Sequence, residues 1–191
     1  MSAKSYDELL RVAHEHAASG NHAKAMGYLQ KFMDACREGE DDVGLGRAYR
    51  NIGVVYINMR KPKAALESLE RGLAIARKTG NKKGEGKALM SMGVAYAALG
   101  LHDVATRYEA KAAEILRSCG HKKAEGAAVE NLAVMNASLG RFARAVAMHE
   151  EAIGLAKQCS DQDGFELAQQ HLTETYRSWK HYDEATNIPV V

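Results

Sequence analysis

Residues 53–59 read GVVYINM and residues 93–99 read GVAYAAL, the same phrase 40 positions on. Gly46, Gly86 and Gly126 keep that spacing, and carrying it to both ends starts units at Tyr6, Gly46, Gly86, Gly126 and Glu166. The nineteenth residue after each start is alanine: Ala25, Ala65, Ala105, Ala145 and Ala185. The sixth is apolar (Val12, Ile52, Met92, Leu132, Leu172) and the seventh is small (Ala13, Gly53, Gly93, Ala133, Thr173). Agreement of these columns in one register identifies an internal repeat, the signature of a solenoid or array.

Each unit reads as two helices. In the second, Tyr49, Ile52, Gly53 and Tyr56 fall at i, i+3, i+4, i+7, one face of a helix, and Ala65, Leu69, Leu73 and Ala76 repeat the pattern. The fourteenth residues, Gly20, Arg60, Gly100, Gly140 and Lys180, mark the expected break between them. Pro62 suits the first turn of a second helix, where its missing N–H costs nothing. Gly80 and Gly120 suit left-handed helix ends. The small seventh residue and the alanine at nineteen predict a close approach of two helix backbones.

Composition agrees. Hydrophobic residues are 46% and charged residues 26% of the 191, and there are only two prolines, which points to a helical folded domain. A net charge of +2 is too small for a nucleic-acid footprint. No run of 18 apolar residues predicts a membrane span, and the N-terminus lacks a signal-peptide apolar core. Cys36, Cys119 and Cys159 lack CxxC spacing and suit reduced thiols on helices of a cytoplasmic chain. The eight histidines form no HExxH or Cys/His ligand group, so neither a metal nor a cofactor is expected. The sequences "GLG" at 44–46 and "GEG" at 84–86 follow no strand and precede no GK[ST], so they read as turns between units. No catalytic residue is assigned.

Tyr49-x2-Ile52-Gly53-x2-Tyr56 followed by Ala65-x3-Leu69 resembles the tetratricopeptide repeat (TPR), and Leu89-x2-Met92-Gly93-x2-Tyr96 with Ala105 repeats it. Glu109 and His149 stand where that pattern has a large apolar residue, and Asn136 where it has Tyr. The TPR usually has 34 residues and a proline closing its second helix; here that column holds Arg37, Arg77, Arg117 and Lys157, so the helix can run on and the period grows to 40. A cation there also suits the helix macrodipole. Units of this length resemble those of the Pins/LGN, rapsyn and kinesin light chain type. The resemblance implies an all-α, right-handed superhelical solenoid over residues 1–191. Its repeats fall at about 6–45, 46–85, 86–125, 126–165 and a partial 166–187, giving nine full helices and a short C-terminal one. It further implies a non-catalytic protein-interaction adaptor or scaffold.

In such a solenoid the first helices line a concave wall. The columns expected to be exposed on it supply Arg47, Arg50, Lys87, Met90 and Glu130 towards the helix starts, and Asn51, Ser91 and Asn131 beside them. Val54, Val94 and Val134 would form a floor, with Asn58 towards the end. Amides can both donate to and accept from a peptide backbone, and arginine forks onto carboxylates, so the expected ligand is a peptide or protein segment with acidic residues. The alternative is a constitutive structural subunit of a cytoskeletal or ciliary assembly. Helix A of the last unit is expected near Asp163–Trp179, and Trp179, Tyr182 and the tail Ile188-Pro189-Val190-Val191 would leave an apolar edge. Either the tail folds back over that edge, or a partner or a second copy covers it.

Overall fold

The computed structural model describes residues 3–186; the tail Ile188-Pro189-Val190-Val191 and any contact it makes lie outside the described residues. The chain forms two compact units, residues 1–101 and 102–191. The first holds α1 (Ala3–Ala18), α2 (His22–Glu38), α3 (Asp42–Asn58), α4 (Pro62–Lys78) and α5 (Lys82–Ala98). The second holds α6 (His102–Ser118), α7 (Lys122–Ser138), α8 (Phe142–Gln158) and α9 (Gln162–Thr186). Among the described residues there is no strand, so the fold class is all-α.

The 40-residue period divides into two half-periods. Each of α2 to α8 has 17 residues, and φ is positive at residues 20, 40, 60, 80, 100, 120, 140 and 160. Five of these eight are glycine; Glu40, Arg60 and Ser160 take the same left-handed conformation. At each turn the next N–H reaches back five residues, as in Asn21 N–H to the His16 carbonyl at 2.8 Å and Lys61 to Tyr56 at 2.9 Å. This bond closes the preceding helix and satisfies a carbonyl otherwise left without a partner. Asp41 and Asn81 then open α3 and α5 by accepting from the N–H of Gly44 (2.8 Å) and Gly84 (2.9 Å).

Within each unit the alanine column does what its size predicts. Ala25, Ala65, Ala105 and Ala145 are all 0% exposed. A Cβ built on Gly53 would lie 2.5 Å from Leu69 Cγ and 3.3 Å from the Ala65 carbonyl, so α3 and α4 touch at backbone distance. In the first unit α3 packs on α2, α4 and α5. Its core includes Leu10, Leu29, Phe32 and Ile52, with the Tyr6 ring edge-on to Phe32 at 5.8 Å. In the second unit α7 packs on α6, α8 and α9.

The basic column at the ends of the second helices has a further role. Arg77 donates to Glu85 at 2.9 Å and Arg117 to Glu125 at 2.6 Å, each tying one helix to the next across its turn. Lys157, in the same column, lies 5.3 Å from the centre of the Phe165 ring. Of the cysteines, Cys36 is buried in α2, while Cys119 and Cys159 are half-buried just beyond the ends of α6 and α8.

The last helix departs from the sequence expectation. The register places a break at Lys180, but α9 runs through it to Thr186, so the described residues contain one long helix where a full helix and a short one were expected. Arg60, at the same register position, does form a turn. Pro62 follows two residues later and turns Lys61 away from helical ψ, whereas Tyr182 imposes nothing of the kind.

Candidate functional site

Three of the expected ligand-binding residues come together in the first unit. Arg47, Arg50 and Lys87 line one open cavity of about 390 Å³, with His14, Lys83, Gly46 and Gly72 among its other walls. α3 supplies the two arginines one turn apart, and the first turns of α5 supply both lysines. The floor is where α3 and α4 press together: a Cβ on Gly72 would sit 3.1 Å from the Gly46 carbonyl and 3.2 Å from the Arg50 nitrogen. No carboxylate is among the lining residues. Asp7, the nearest acid on Arg47, is an exposed partner at 3.6 Å.

Arg50 is the unusual member. Its Nη2 donates to Asn51 Oδ1 at 2.8 Å, but its Nε is buried without a hydrogen-bond partner. Burial, with the neighbouring Arg47 charge adding to it, pushes its pKa down to about 10. The His14 imidazole is held below its ordinary value, first by desolvation and then by the charges of Arg50 and Arg47. A cavity in which cations disfavour one another is electrostatically prepared for an anion.

The remaining expected residues divide. Val54 (37%) and Val134 (41%) are exposed, as is Asn58, while Met90, Val94 and Asn131 are half-buried. The expectation of exposure is corrected for Asn51, Ser91 and Glu130, whose side chains are buried. A first helix in a stack is covered on two sides, by its hairpin partner and by the first helix of the next repeat, as α3 is by α4 and α5. The columns beside the valines therefore face a neighbouring helix rather than solvent. Ser91 Oγ spends its proton on the Lys87 carbonyl at 3.1 Å.

In the second unit the same columns build a buried polar network that the sequence reading did not find. Glu130 Oε2 lies 3.0 Å from His149 Nδ1, and Oε1 lies 2.7 Å from His171 Nδ1. His149 Nε2 is 3.0 Å from Thr175 Oγ. With Glu130 ionised, both rings donate to it and the Thr175 hydroxyl donates to His149. Next to these, Asn131 donates to Glu109 Oε1 at 3.1 Å, while Glu109 Oε2 is buried without a partner. Burial pushes the Glu109 carboxyl up to about 9, against the opposing effect of Asn131. Among the described residues no group of three or more His, Cys, Asp or Glu could hold a metal ion, and no helix is long and apolar enough to cross a membrane.

Residues 8–78 match the family model described as Tetratricopeptide repeat, and residues 87–178 match that described as Anaphase-promoting complex subunit 5. No curated protein matches the chain. Among solved structures it is similar to a Rap protein complexed with Competence and Sporulation Factor, at TM-score 0.80 and 16% identity over 98% of this chain and 52% of that one. It is also similar to Aspartyl phosphate phosphatase F from Bacillus subtilis, at TM-score 0.76 and 12% identity over 96% and 50%. A third likeness is to the nearly identical TPR-like repeats of a kinesin light chain-type protein from Podosopora anserina, at TM-score 0.68 and 17% identity over 95% and 90%. The chain spans about half the length of the first two of these proteins. At such identities the likeness is one of fold.

Proposed function

The chain is a tetratricopeptide-repeat protein, and from that premise we propose that it is a non-catalytic interaction adaptor that binds a partner-protein segment carrying acidic residues. The observation that carries this reading is the cavity of Arg47, Arg50 and Lys87, with no acid lining it and a buried donor left over on Arg50. Val54 and Asn58 are exposed on the same helix as the two arginines and would touch the flanks of a bound segment. Asn51 and Ser91 act behind the surface, holding Arg50 and the α5 backbone. In the first unit Met90 and Val94 on α5 would add half-buried contacts, and in the second Val134 would offer exposed area, with Glu130 and Asn131 bonded to neighbouring helices. That one neighbour was solved with Competence and Sporulation Factor bound supports a ligand-binding role for this fold.

The test is charge reversal. The full chain with Arg47, Arg50 and Lys87 all changed to Glu should lose binding to pools of Glu- and Asp-rich peptides while its helical circular dichroism is retained. Equal binding by both proteins would refute the assignment of the cavity.

A second reading is favoured by α9, on which Leu167 and Tyr182 fall on about the same side and are each 48% exposed. Here the protein is a constitutive subunit of a larger assembly, cytoplasmic and of cytoskeletal or ciliary kind. Leu167→Glu would then abolish co-assembly; a variant that assembles normally removes this reading.

A further inference from the structure

We propose that the partner segment lies extended along the seam between α3 and α5, with one acidic side chain at the Arg47 end and a second, about five residues away, in a separate cavity beside Arg60. This rests on the acidic-segment reading above and adds to it a second subsite and a spacing.

The second cavity is the first argument. It is open, about 370 Å³, and is lined by Ile57 and Asn58 at the end of α3, Arg60 in the turn, Pro62 at the start of α4 and Ala98 at the end of α5. The Arg47 cavity lies at the opposite ends of the same two first helices, where α5 contributes Lys83 and Gly84. α3 and α5 pack on each other, so one seam inside the first unit carries a cavity at each end.

Charge is the second. No carboxylate lines either cavity. Lys83 and Arg60 are exposed, and neither has an ion-pair partner among the described residues. Arg47 is met by the exposed Asp7 at 3.6 Å, a surface pair of little strength that a better-placed acid can displace. The contacts do not call on Lys87, which already has a partner within the chain, or on Arg50 Nε, which is buried. A segment with an acid at each end complements this distribution, and one with a single acid does not.

Spacing is the third. Arg47, Val54 and Asn58 fall at i, i+7 and i+11 and are all exposed, so they form one stripe along α3. Eleven helical residues rise about 16 Å, a distance that an extended chain covers in about five. Such a segment crosses Val54, which is 37% exposed, and reaches the Asn58 amide beside the second cavity. That amide can donate to and accept from an extended backbone, whereas a helical backbone satisfies itself and leaves it idle.

The experiment uses the full chain at low salt and fluorescent peptide pools with degenerate, non-acidic residues at the remaining positions: Glu-x4-Glu, Glu-x-Glu and a single Glu. By anisotropy the Glu-x4-Glu pool should bind about tenfold tighter than the Glu-x-Glu pool, which carries the same charge but spans one cavity. Arg60→Gly should weaken Glu-x4-Glu about tenfold, to the level of the single-Glu pool, and leave the single-Glu pool unchanged. Glycine suits the left-handed backbone at this position, so the variant should melt no lower than the parent and its lost affinity is not unfolding. Arg60→Lys keeps the charge and should bind Glu-x4-Glu more tightly than Arg60→Gly does. Arg47→Gln should weaken all three pools. Equal binding of the two doubly acidic pools, or no effect of Arg60→Gly, overturns the second subsite and leaves the acidic-segment reading in place. Tighter, Arg60-dependent binding of a Glu-x10-Glu pool than of Glu-x4-Glu replaces the extended occupant by a helix and overturns the spacing. Failure of every pool to bind overturns both readings.

Discussion

Leu29 and Leu69 occupy one position of the repeat, and Glu109 and His149 occupy the same position two and three units along; all four are buried. The two polar residues behave oppositely because their partners differ. Glu109 has an oxygen with no partner, so Glu109→Leu should raise stability by about 1–3 kcal/mol in denaturant melts. His149 is bonded at both nitrogens, so His149→Leu strips Glu130 and Thr175 of a partner and should lower stability by a similar amount. The pH dependence follows from Glu109. Its folded pKa, about 9, lies above the ordinary carboxyl value of 4.5, so the folded state holds the extra proton between those values. Stability contributed by that proton is complete below about pH 4.5 and is lost as pH rises towards 9. Glu109→Gln should flatten the decline of Tm over that window. The sequence marks Glu109, His149 and Asn136 as departures from pattern, but the bonded pairs Glu130–His149, His149–Thr175 and Glu130–His171 are 19 or more residues apart, beyond any local spacing.

Helices and turns were the most legible layer, because two periodicities (3.6 for the apolar face and 40 for the unit) reinforce each other in the same columns. What the periodicity could not give was double burial. A single apolar stripe shows one covered face, so the second covered face of a first helix, carrying Asn51, Ser91 and Glu130, reads as exposed. Three predictions belong at this level. Ala for Gly in a helix usually gains about 1 kcal/mol, but at Gly53 the new Cβ meets Leu69 Cγ at 2.5 Å, and Leu69 is itself 0% exposed. Crowding wins, and Gly53→Ala should cost about 1–3 kcal/mol by thermal or chemical melt. Arg60 holds a left-handed conformation that glycine adopts without strain, so Arg60→Gly should gain about 0.5–1 kcal/mol. In α9, Trp179 stacks on Phe142 at 6.3 Å and Tyr182 lies 5.6 Å from the same ring. Trp179→Ala should therefore speed amide exchange from about residue 176 onward and leave α7 unchanged.

At the scale of the molecule, the two units use the same columns for different ends. In the first, Arg47, Arg50 and Lys87, from the columns nearer the helix starts, gather around an open cavity. In the second, they carry carboxylates and imidazoles that bond to one another in the interior. The cationic cluster was legible because Arg47, Arg50 and Lys87 share a face and a repeat offset; the cavity between them was not, since it depends on how closely Gly46 and Gly72 let two helices meet. Salt should discriminate the two units. Raising ionic strength weakens binding at the exposed Arg47 through screening but leaves the buried Glu130 network almost untouched. Peptide affinity should therefore fall severalfold between low and physiological salt while the Tm of the chain barely moves.

The left-handed residue at every twentieth position from 20 to 160 gives the chain a fixed unit of length. Excising residues 42–81 would set Asp41, already a helix cap, directly before Lys82, where Asn81 caps α5 now. Every later residue would keep its phase, and one whole hairpin would be gone. Duplications and losses in such a chain are tolerated in steps of 40, while an insertion of any other size has only a three-residue bend in which to hide.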